Sequence, residues 1–253
     1  MEKDVTIITP LYNAEHLIKD TADSVFSQTY KNWEWIIVND CSTDNSKKVL
    51  EELAGKDERI TVINLEKNQG PINARNTAIE KAKGRFISFL DSDDIWLPHK
   101  LEKQVNFMQN RDCVLSYTEY KKIKQNGKAV TGTKISVPPK VSYPGILKSN
   151  CIMASSAMYD SQKTGKIKQT YDAPLGKDDF LFFINIMKEH GPAMGLKEDL
   201  ARLRVWQHSI TANKIKAAKD QWYFYRKVMK LTVAKSLVTY IIYAFKGFVK
   251  YLK

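Results

Sequence analysis

The chain has 253 residues, which is long enough for one large α/β domain or for a domain with an appendage. Its hydrophobic content of 43% is ample for a packed core and excludes a globally disordered protein. Cys41, Cys113 and Cys151 are odd in number and share no metal-ligand spacing, so we expect reduced thiols rather than a disulfide framework. The first residues lack the charged-then-apolar layout of a signal peptide, and we therefore expect a cytoplasmic protein.

The formal net charge of +12 is concentrated in the C-terminal part of the chain. From Asn213 onward there are ten Lys or Arg residues and one acid, Asp220, so this segment carries +9. The first 212 residues are nearly balanced at +3. We therefore divide the chain into an ordinary globular domain, 1–211, and a basic tail, 212–253.

Strand-like and helical patterns alternate through the first 110 residues. Predicted strands at 5–9, 35–38, 60–63 and 86–90 are followed by predicted helices at 15–28, 45–53, 72–82 and 98–108. Such alternation is typical of βαβ units, which build a mainly parallel sheet with helices on its faces and ligands at the carboxyl ends of its strands. Later elements are a hairpin around Asn126–Gly127, a helix at 179–188, a strand at 200–206 and a helix from 211 to the end.

The predicted strand at 86–90 ends in three carboxylates within four residues, Asp91, Asp93 and Asp94. Like charges this close repel one another, and each is costly to desolvate, which favours a bound cation. Mg²⁺ and Mn²⁺ prefer oxygen ligands and bind one or two carboxylates together with substrate phosphates. The alternative is an acidic turn that caps the following helix, because Asp is favoured at N-caps and in first turns.

Two further polar residues follow predicted strands. Asp40 ends the second strand, where it can accept hydrogen bonds from a base or a ribose or can cap the next helix. Arg75 lies in the first turns of a helix, where the helix dipole disfavours a cation, so the alternatives are a buried anionic partner and plain surface exposure. The first two strand ends carry neither G-x-G-x-x-G nor a Walker A loop, which argues against dehydrogenase and P-loop functions.

Four motifs occur in order, namely T-P-x-Y-N from Thr9, V-N-D-C-S-T-D from Val38, N-x-G-x-x-x-A-R-N from Asn68 and G-R-F-I-S-F-L-D-S-D-D from Gly84. This set resembles the family 2 glycosyltransferases of the GT-A fold, and more closely the bacterial enzymes of teichuronic-acid and related surface-polysaccharide synthesis. The resemblance covers residues 5–211 and implies a nucleotide-sugar-binding half, 1–110, and an acceptor half, 111–211. The implied architecture is α/β, with a mixed, mainly parallel sheet flanked by helices and a C-terminal amphipathic helical tail.

The resemblance also implies roles for individual residues. Six would surround the nucleotide: Thr9, Pro10, Tyr12, Asp40, Arg75 and Asp91. Asp93 would ligate Mn²⁺ or Mg²⁺ on the donor diphosphate, and Asp94 would be a supporting or capping acid. Asp178 and Asp179 open an apolar helix, and Asp179 would be the base of an inverting transfer with Asp178 as its supporting acid. An N-cap pair is the alternative for these two acids.

The chain departs from the family pattern in one place. Many relatives carry R-x-H shortly before S-x-[ST], whereas the run here is R-V-W-Q-H-S-I-T from Arg204. Trp206 therefore occupies the position of a histidine near the metal or the diphosphate, while Arg204 stays a candidate for contact with the diphosphate. His208 could replace the missing histidine only with a shifted loop, and a surface histidine is the alternative.

The tail carries an apolar stripe with helical spacing, formed by Leu231, Ala234, Leu237, Val238, Ile241, Phe245, Phe248 and Leu252. The longest uncharged run, at 236–245, is too short for a bilayer span, which needs about twenty residues. A basic amphipathic helix rich in aromatic residues favours an anionic membrane surface as the partner of 231–253. Packing on the domain or on a partner subunit is the alternative. Nucleic-acid binding is disfavoured because no reading motif accompanies the charge.

These features predict a metal-dependent inverting glycosyltransferase that is peripheral on the inner face of the cell membrane. It would move a sugar from a nucleotide-diphosphate sugar, expected to be a UDP-sugar, to a saccharide or lipid-linked acceptor in cell-surface polysaccharide synthesis. Two alternatives stay open: a transferase that acts on polyprenyl phosphate itself, and an inactive nucleotide-sugar-binding scaffold subunit.

Overall fold

The computed structural model of the protein describes residues 4–174, 176–206 and 214–251. The strands in this part of the chain are β1 Val5–Leu11, β2 Trp33–Asn39, β3 Ile60–Asn64, β4 Phe86–Phe89, β5 Ile95–Trp96, β6 Leu115–Ile123, β7 Ala129–Ile135, β8 Lys140–Val141, β9 Met158–Asp160 and β10 Ala193–Arg204. The α-helices are α1 Ile18–Phe26, α2 Ser46–Ala54, α3 Pro71–Lys81, α4 Lys100–Arg111, α5 Tyr143–Leu147, α6 Ser161–Thr164, α7 Asp178–His190, α8 Lys214–Tyr223 and α9 Val233–Tyr251. A 3₁₀ turn covers Ala154–Ser156, and a π-helical segment covers Phe224–Val228.

One mixed sheet contains these strands in the order β3-β2-β1-β4-β9-β6-β10-β5, with β7 beside β6 and β8 beside β10. The first four in this order are parallel, as the βαβ pattern predicts, and β10 is parallel to β6. The short β9 is antiparallel to both of its neighbours and joins the two halves of the sheet. Because β1, β2 and β4 are parallel, their carboxyl ends meet at one edge of the sheet, where α/β proteins bind ligands.

Hydrophobic side chains alternate between the two faces of the sheet and form a core on each. One core contains Ile8, Val38 and Phe89 and is covered by α3, α7 and the π-helical segment. The other contains Ile7 and Trp35 and is covered by α1, α2 and α4. Successive strand residues point to opposite faces, so the near-continuous apolar runs of the sequence supply both cores at once.

The tail differs from the single helix that we predicted from residue 211 onward. Residues 207–213, including His208, lie outside the described part of the chain. Between α8 and α9 the backbone passes through the π-helical segment and then reverses at Lys230, which has a φ of 51°. Phe224 and Tyr225 of that segment are fully buried in the core beside α7, and the ring of Phe224 lies 5.1 Å from that of Phe180. The first part of the tail is therefore built into the fold.

The aliphatic face of α9 is exposed, which is the reverse of an ordinary surface helix. Leu237, Ile241 and Phe245 are between 51% and 66% exposed and follow one another at one-turn spacing. The opposite face carries Tyr240, whose ring packs edge-on against Trp222 of α8. None of the helices in the described ranges is both long enough and apolar enough to cross a membrane.

Candidate active site

A cavity of about 400 Å³ opens at the carboxyl ends of β1, β2 and β4, beside the start of α3. Its lining residues are Pro10, Leu11, Tyr12, Asp40, Asn68, Gly70, Pro71, Arg75, Asp91, Ser92 and Asp93. The sheet thus brings together six of the residues singled out from the sequence: Pro10, Tyr12, Asp40, Arg75, Asp91 and Asp93. Tyr12 is 49% exposed at the cavity, and its ring is free to stack on a planar ligand.

Thr9 does not line this cavity, although the resemblance implied that it would surround the nucleotide. Its side chain is fully buried, and its hydroxyl accepts a hydrogen bond of 2.9 Å from the indole nitrogen of Trp35 on β2. Trp35 belongs to the core covered by α1, α2 and α4. The Thr9 hydroxyl therefore joins β1 to β2 within the sheet, and the place of Thr9 beside the nucleotide stays a prediction.

Asp40 connects the end of β2 to the beginning of α3. Its two carboxylate oxygens accept hydrogen bonds from the backbone N–H groups of Gln69 and Gly70, both at 2.7 Å. Gly70 has a φ of 84°, a left-handed conformation that glycine adopts without strain. A carboxylate is stabilised at this position by the positive end of the α3 dipole. Asp40 does not cap α2, which was the alternative, because Asn45 is the residue at that cap.

The cluster after β4 is not the start of a helix, so the capping alternative for its acids is wrong. β5 follows the cluster, and α4 begins only at Lys100. Asp94 is fully buried and accepts hydrogen bonds from the Ser155 hydroxyl at 2.5 Å and from the Arg204 backbone at 2.9 Å. The Ser155 hydroxyl also accepts a hydrogen bond of 3.1 Å from the backbone N–H of Asp91. Burial, together with the neighbouring carboxylates, raises the pKa of Asp94 well above its usual range. Asp94 thus ties the loop after β4 to Ser155 and to the end of β10.

Asp93 faces the cavity and is held by Trp206, the residue at the position where many relatives carry histidine. The indole N–H of Trp206 donates to a carboxylate oxygen of Asp93 at 2.7 Å. Burial and the nearby Asp91 raise the pKa of Asp93, and the hydrogen bond from Trp206 opposes this shift. The tryptophan therefore orients the carboxylate that we expected to bind metal, a contact that no local signal in the sequence predicts.

Arg204 lies beneath the acidic cluster, and its side chain is only 1% exposed. Its guanidinium donates to the backbone carbonyls of Asp93 and Gln125 and pairs with Asp20 at 3.1 Å. The group does not line the cavity. In the structure Arg204 therefore fixes the backbone of the Asp93 segment, and its contact with a diphosphate stays a prediction.

Arg75 joins the two groups of acids that the sequence separates. Its guanidinium is buried, with Nη2 at 2.8 Å from Asp91 and Nη1 at 3.0 Å from Asp179 and 3.5 Å from Asp178. Burial opposes the charged guanidinium, but the carboxylates of Asp179, Asp91 and Asp178 outweigh it and raise the pKa of Arg75. Of the two alternatives for Arg75, the structure favours the buried cation with anionic partners, here supplied by the protein itself.

Asp179 is not among the residues that line the cavity, but it pairs with Arg75, which does line it, and accepts a hydrogen bond of 3.0 Å from the side-chain amide of Gln169. Gln169 is in turn held by Asn76 of α3, which exchanges two hydrogen bonds with its backbone. Burial raises the pKa of Asp179 to about 6; Arg75 and Gln169 oppose this shift, while Asp91 and Asp178 reinforce it. A carboxylate with this pKa is largely ionised at neutral pH and still basic enough to accept a proton.

The acids at the cavity suit a divalent cation that is shared with a ligand. No group of three or more His, Cys, Asp or Glu side chains that could hold a metal is formed by the described residues. Mg²⁺ and Mn²⁺ do not require one, because they bind through one or two carboxylates and complete their shells with phosphates and water. Asp91 and Asp93 both line the cavity, and burial together with the charge of Asp91 raises the pKa of Asp93, so a bound cation would offset the charge at this edge. The donor set therefore fits a metal held by Asp93 together with a bound diphosphate.

Comparison with known proteins identifies the family. The sequence model of glycosyl transferase family 2 matches residues 6–159. A Bacillus subtilis protein named as a teichuronic acid biosynthesis glycosyltransferase, TuaG, is 40% identical over 240 residues, which cover 95% of this chain and 94% of that protein. The Escherichia coli protein named UDP-Glc:alpha-D-GlcNAc-diphosphoundecaprenol beta-1,3-glucosyltransferase WfgD is 37% identical, over 86% of this chain and 83% of its own length.

Solved structures agree on the fold. The crystal structure of Staphylococcus aureus TarS 1–349 in complex with UDP-GlcNAc superposes with a TM-score of 0.71 at 21% identity, over 95% of this chain and 71% of that one. The chain therefore has the GT-A-like fold that the four motifs implied. Because the family model covers more than half of the chain, and two relatives above 30% identity span most of it, the chain belongs to glycosyltransferase family 2.

Proposed function

We propose that the protein transfers a sugar, with inversion, from a UDP-sugar to a lipid-linked saccharide in the synthesis of a cell-surface polysaccharide. One observation carries this proposal. The buried guanidinium of Arg75, which lines the cavity, lies 2.8 Å from the donor-side acid Asp91 and 3.0 Å from the acceptor-side acid Asp179. An ionic cluster that joins an acid for the donor to a separate base for the acceptor suits glycosyl transfer better than nucleotide binding alone.

On the donor side, the base and ribose would lie against Tyr12, Pro10 and the loop held by Asp40, and Asp91 would face the ribose. Asp93 would hold Mn²⁺ or Mg²⁺ on the diphosphate, and the metal would supply charge neutralisation for the leaving nucleotide. Trp206 would keep the Asp93 carboxylate in the orientation that this contact requires. The pairing of a UDP-sugar with this fold is supported by TarS, whose structure contains UDP-GlcNAc.

On the acceptor side, Asp179 would accept the proton of the attacking hydroxyl. The new bond joins the hydroxyl oxygen to the anomeric carbon, while the bond from that carbon to the diphosphate oxygen breaks on the opposite face. Asp178 would add negative charge that keeps Asp179 basic, and Gln169 would fix its direction. The name of WfgD, which specifies a diphosphoundecaprenol-linked acceptor, supports a lipid-linked acceptor for the present chain.

Two substitutions test the assignment of roles. Asp93→Asn and Asp179→Asn should each lower transfer by at least about a hundredfold, the lower range for loss of a general base or an electrostatic group. Asp23→Asn, at an exposed position of α1, removes the same charge and should leave the rate unchanged. A panel of UDP-sugars with Mn²⁺ supplies the donors, and thermal unfolding verifies folding. Full activity in both site variants would refute the proposal, while activity kept only by Asp179→Asn would favour polyprenyl phosphate as acceptor.

The exposed face of α9 supports a second part of the proposal, namely attachment to the inner face of the cell membrane. The helix turns Tyr240 towards the protein and leaves Leu237, Ile241 and Phe245 more than half exposed. Lys235 and Lys246 are exposed on the same helix, away from this apolar face, and favour anionic lipid. Anchoring there would bring a lipid-linked acceptor and the enzyme to the same surface.

Vesicle binding tests this attachment. Removing everything after residue 211 would also remove the buried Phe224 and Tyr225, so a surface variant is preferable. Ile241→Asp combined with Phe245→Asp should abolish co-sedimentation with vesicles of phosphatidylglycerol and phosphatidylcholine, with no change in thermal unfolding. Equal co-sedimentation of the variant and the unmodified chain would refute the membrane proposal and leave the enzymatic one intact.

A further inference from the structure

A second cavity, of about 570 Å³, lies between α8 and α9. Its lining residues are Ala218, Lys219, Trp222, Tyr223, Arg226, Lys227 and Tyr240. Three cations and three aromatic rings thus share one cleft, and the side chains that line it include no carboxylate. Lys219, Arg226 and Lys227 form no ion pair with any residue that the structure describes.

The chemistry of this cleft is that of a site for an amphipathic anion. Unpaired Lys and Arg side chains bind phosphate oxygens through charge-assisted hydrogen bonds. Trp222 and Tyr223 are 37% and 53% exposed, and such rings pack well against an alkyl chain at the boundary between lipid and water.

The cleft is also connected to the acceptor side of the active site. Lys219, Asp220 and Tyr223 line a neighbouring hollow together with the segment 171–174, which includes Asp172 and precedes α7. Lys177, directly before Asp178, donates a hydrogen bond of 2.5 Å to Gln221 of α8 and lies 5.6 Å from the ring of Tyr243 on α9. The helices that form the cleft therefore hold the start of the helix that carries Asp179.

We propose that the cleft between α8 and α9 binds the diphosphate headgroup and first isoprenoid units of the lipid-linked acceptor. Lys219, Arg226 and Lys227 bind the phosphates, and Trp222 and Tyr223 pack against the lipid chain. The saccharide then extends along the hollow at 171–174 towards Asp179. This inference rests on the proposed lipid-linked acceptor, but the binding it describes does not require transfer activity.

Direct binding to the full chain tests the inference, with farnesyl diphosphate as the probe. EDTA and saturating UDP are present, so that the metal-dependent donor site does not contribute. The variant Lys219→Gln/Arg226→Gln/Lys227→Gln should bind farnesyl diphosphate at least about tenfold more weakly, which is about 1.4 kcal/mol. The matched control, Lys47→Gln/Lys48→Gln/Lys56→Gln, removes three exposed charges on and just after α2 and should bind like the unmodified chain. Lys219→Arg/Lys227→Arg, which keeps the charges, should also bind normally.

Further probes separate the possible sources of the phosphate. Farnesol, which has the chain without the headgroup, and inorganic diphosphate, which has the headgroup without the chain, should each bind at least tenfold more weakly than farnesyl diphosphate. Equal affinity of the cleft variant and the control variant would overturn the inference. Inorganic diphosphate that binds as tightly as farnesyl diphosphate would overturn the lipid assignment. Charge-dependent binding to phosphatidylglycerol vesicles without binding of farnesyl diphosphate would reassign the cleft to the membrane surface. In each of these cases, transfer that depends on Asp179 would still support the proposed function.

Discussion

Replacing Arg75 with Gln tests whether the buried guanidinium controls the basicity of Asp179. In the structure the Nη1 atom of Arg75 lies 3.0 Å from an oxygen of Asp179. Coulomb's law with an effective dielectric constant of about 20 gives about 5 kcal/mol for such a pair, an upper bound. Water reaches 32% of the Asp179 side chain and reduces this value. Opposite charges this close typically lower a carboxylate pKa by about 1–3 units.

These contacts determine whether the pKa of Asp179 rises or falls when Arg75 is replaced. Burial holds the pKa of Asp179 at about 6, and Arg75 opposes a further rise. With Gln at position 75, only Gln169 would oppose the effect of Asp91 and Asp178, and the pKa of Asp179 should rise by about 1–2 units. Because the base must be ionised, kcat/KM of the unmodified enzyme should increase through about pH 6 and then level off. The same increase should occur at about pH 7–8 in Arg75→Gln.

The assay is the pH profile of kcat/KM for transfer between about pH 5 and 9, the range in which a perturbed carboxylate of this kind titrates. Weaker donor binding, from the lost contact to Asp91, would lower the whole profile without moving it along the pH axis. Arg75→Lys keeps the charge and should retain the original midpoint. Arg85→Gln removes a partly exposed cation that pairs with the buried Asp160 at 2.7 Å, far along the chain from Asp179, and is the control. An unshifted midpoint in a folded Arg75→Gln enzyme would refute the reasoning.

Three further predictions concern single side chains. Gly70→Ala should destabilise the protein by about 1–2 kcal/mol in urea unfolding, because its φ of 84° strains any residue with a Cβ; an unchanged midpoint would contradict this. Phe224→Ala should cost about 3–5 kcal/mol by the same measurement, since the ring is fully buried beside α7, and a cost below 1 kcal/mol would show that the tail is not part of the core. Trp206→Phe should raise the Mn²⁺ concentration for half-maximal transfer about tenfold by releasing Asp93, whereas an unchanged requirement would contradict the orienting role.

The parallel half of the fold could be predicted because its sequence repeats one simple pattern. Apolar runs at 5–9, 35–38 and 86–90 overlap β1, β2 and β4, which are buried on both faces and therefore need nearly continuous hydrophobic residues. The run at 60–63 overlaps β3 at the edge of the sheet. The second half lacks this regularity. β5 and β9 have two and three residues, too few to show a period, and β10 includes Lys197, Glu198 and Asp199 at an irregularity in its pairing with β6. Short or bulged strands are defined by their neighbours in the sheet, which the sequence does not display.

The site, too, contains residues that a local sequence pattern identifies and residues whose position depends on the rest of the fold. Acids at strand ends could be recognised one strand at a time, and Asp40, Asp91 and Asp93 all line the cavity. Thr9 and Arg204 were expected there as well, but their side chains are used inside the protein by Trp35 and by the backbone around Asp93. Hydrogen-bonding capacity identifies a polar residue as a candidate, whereas its orientation depends on packing that only the fold specifies.

Arg75 could be recognised as a candidate from the sequence, but its partners are set by the fold. Its positive charge explains how the acidic site is stable. From the sequence, the position of Arg75 in the first turns of α3 left two alternatives, a buried anionic partner and plain surface exposure. The structure supplies Asp91 and Asp179, which come from segments that no local pattern connects. Removing one member of a buried ionic group leaves an uncompensated charge, so each of these acids depends on the same cation. The donor and acceptor sides are therefore electrostatically coupled through Arg75, and a change that binds or removes charge at Asp91 should alter the proton affinity of Asp179.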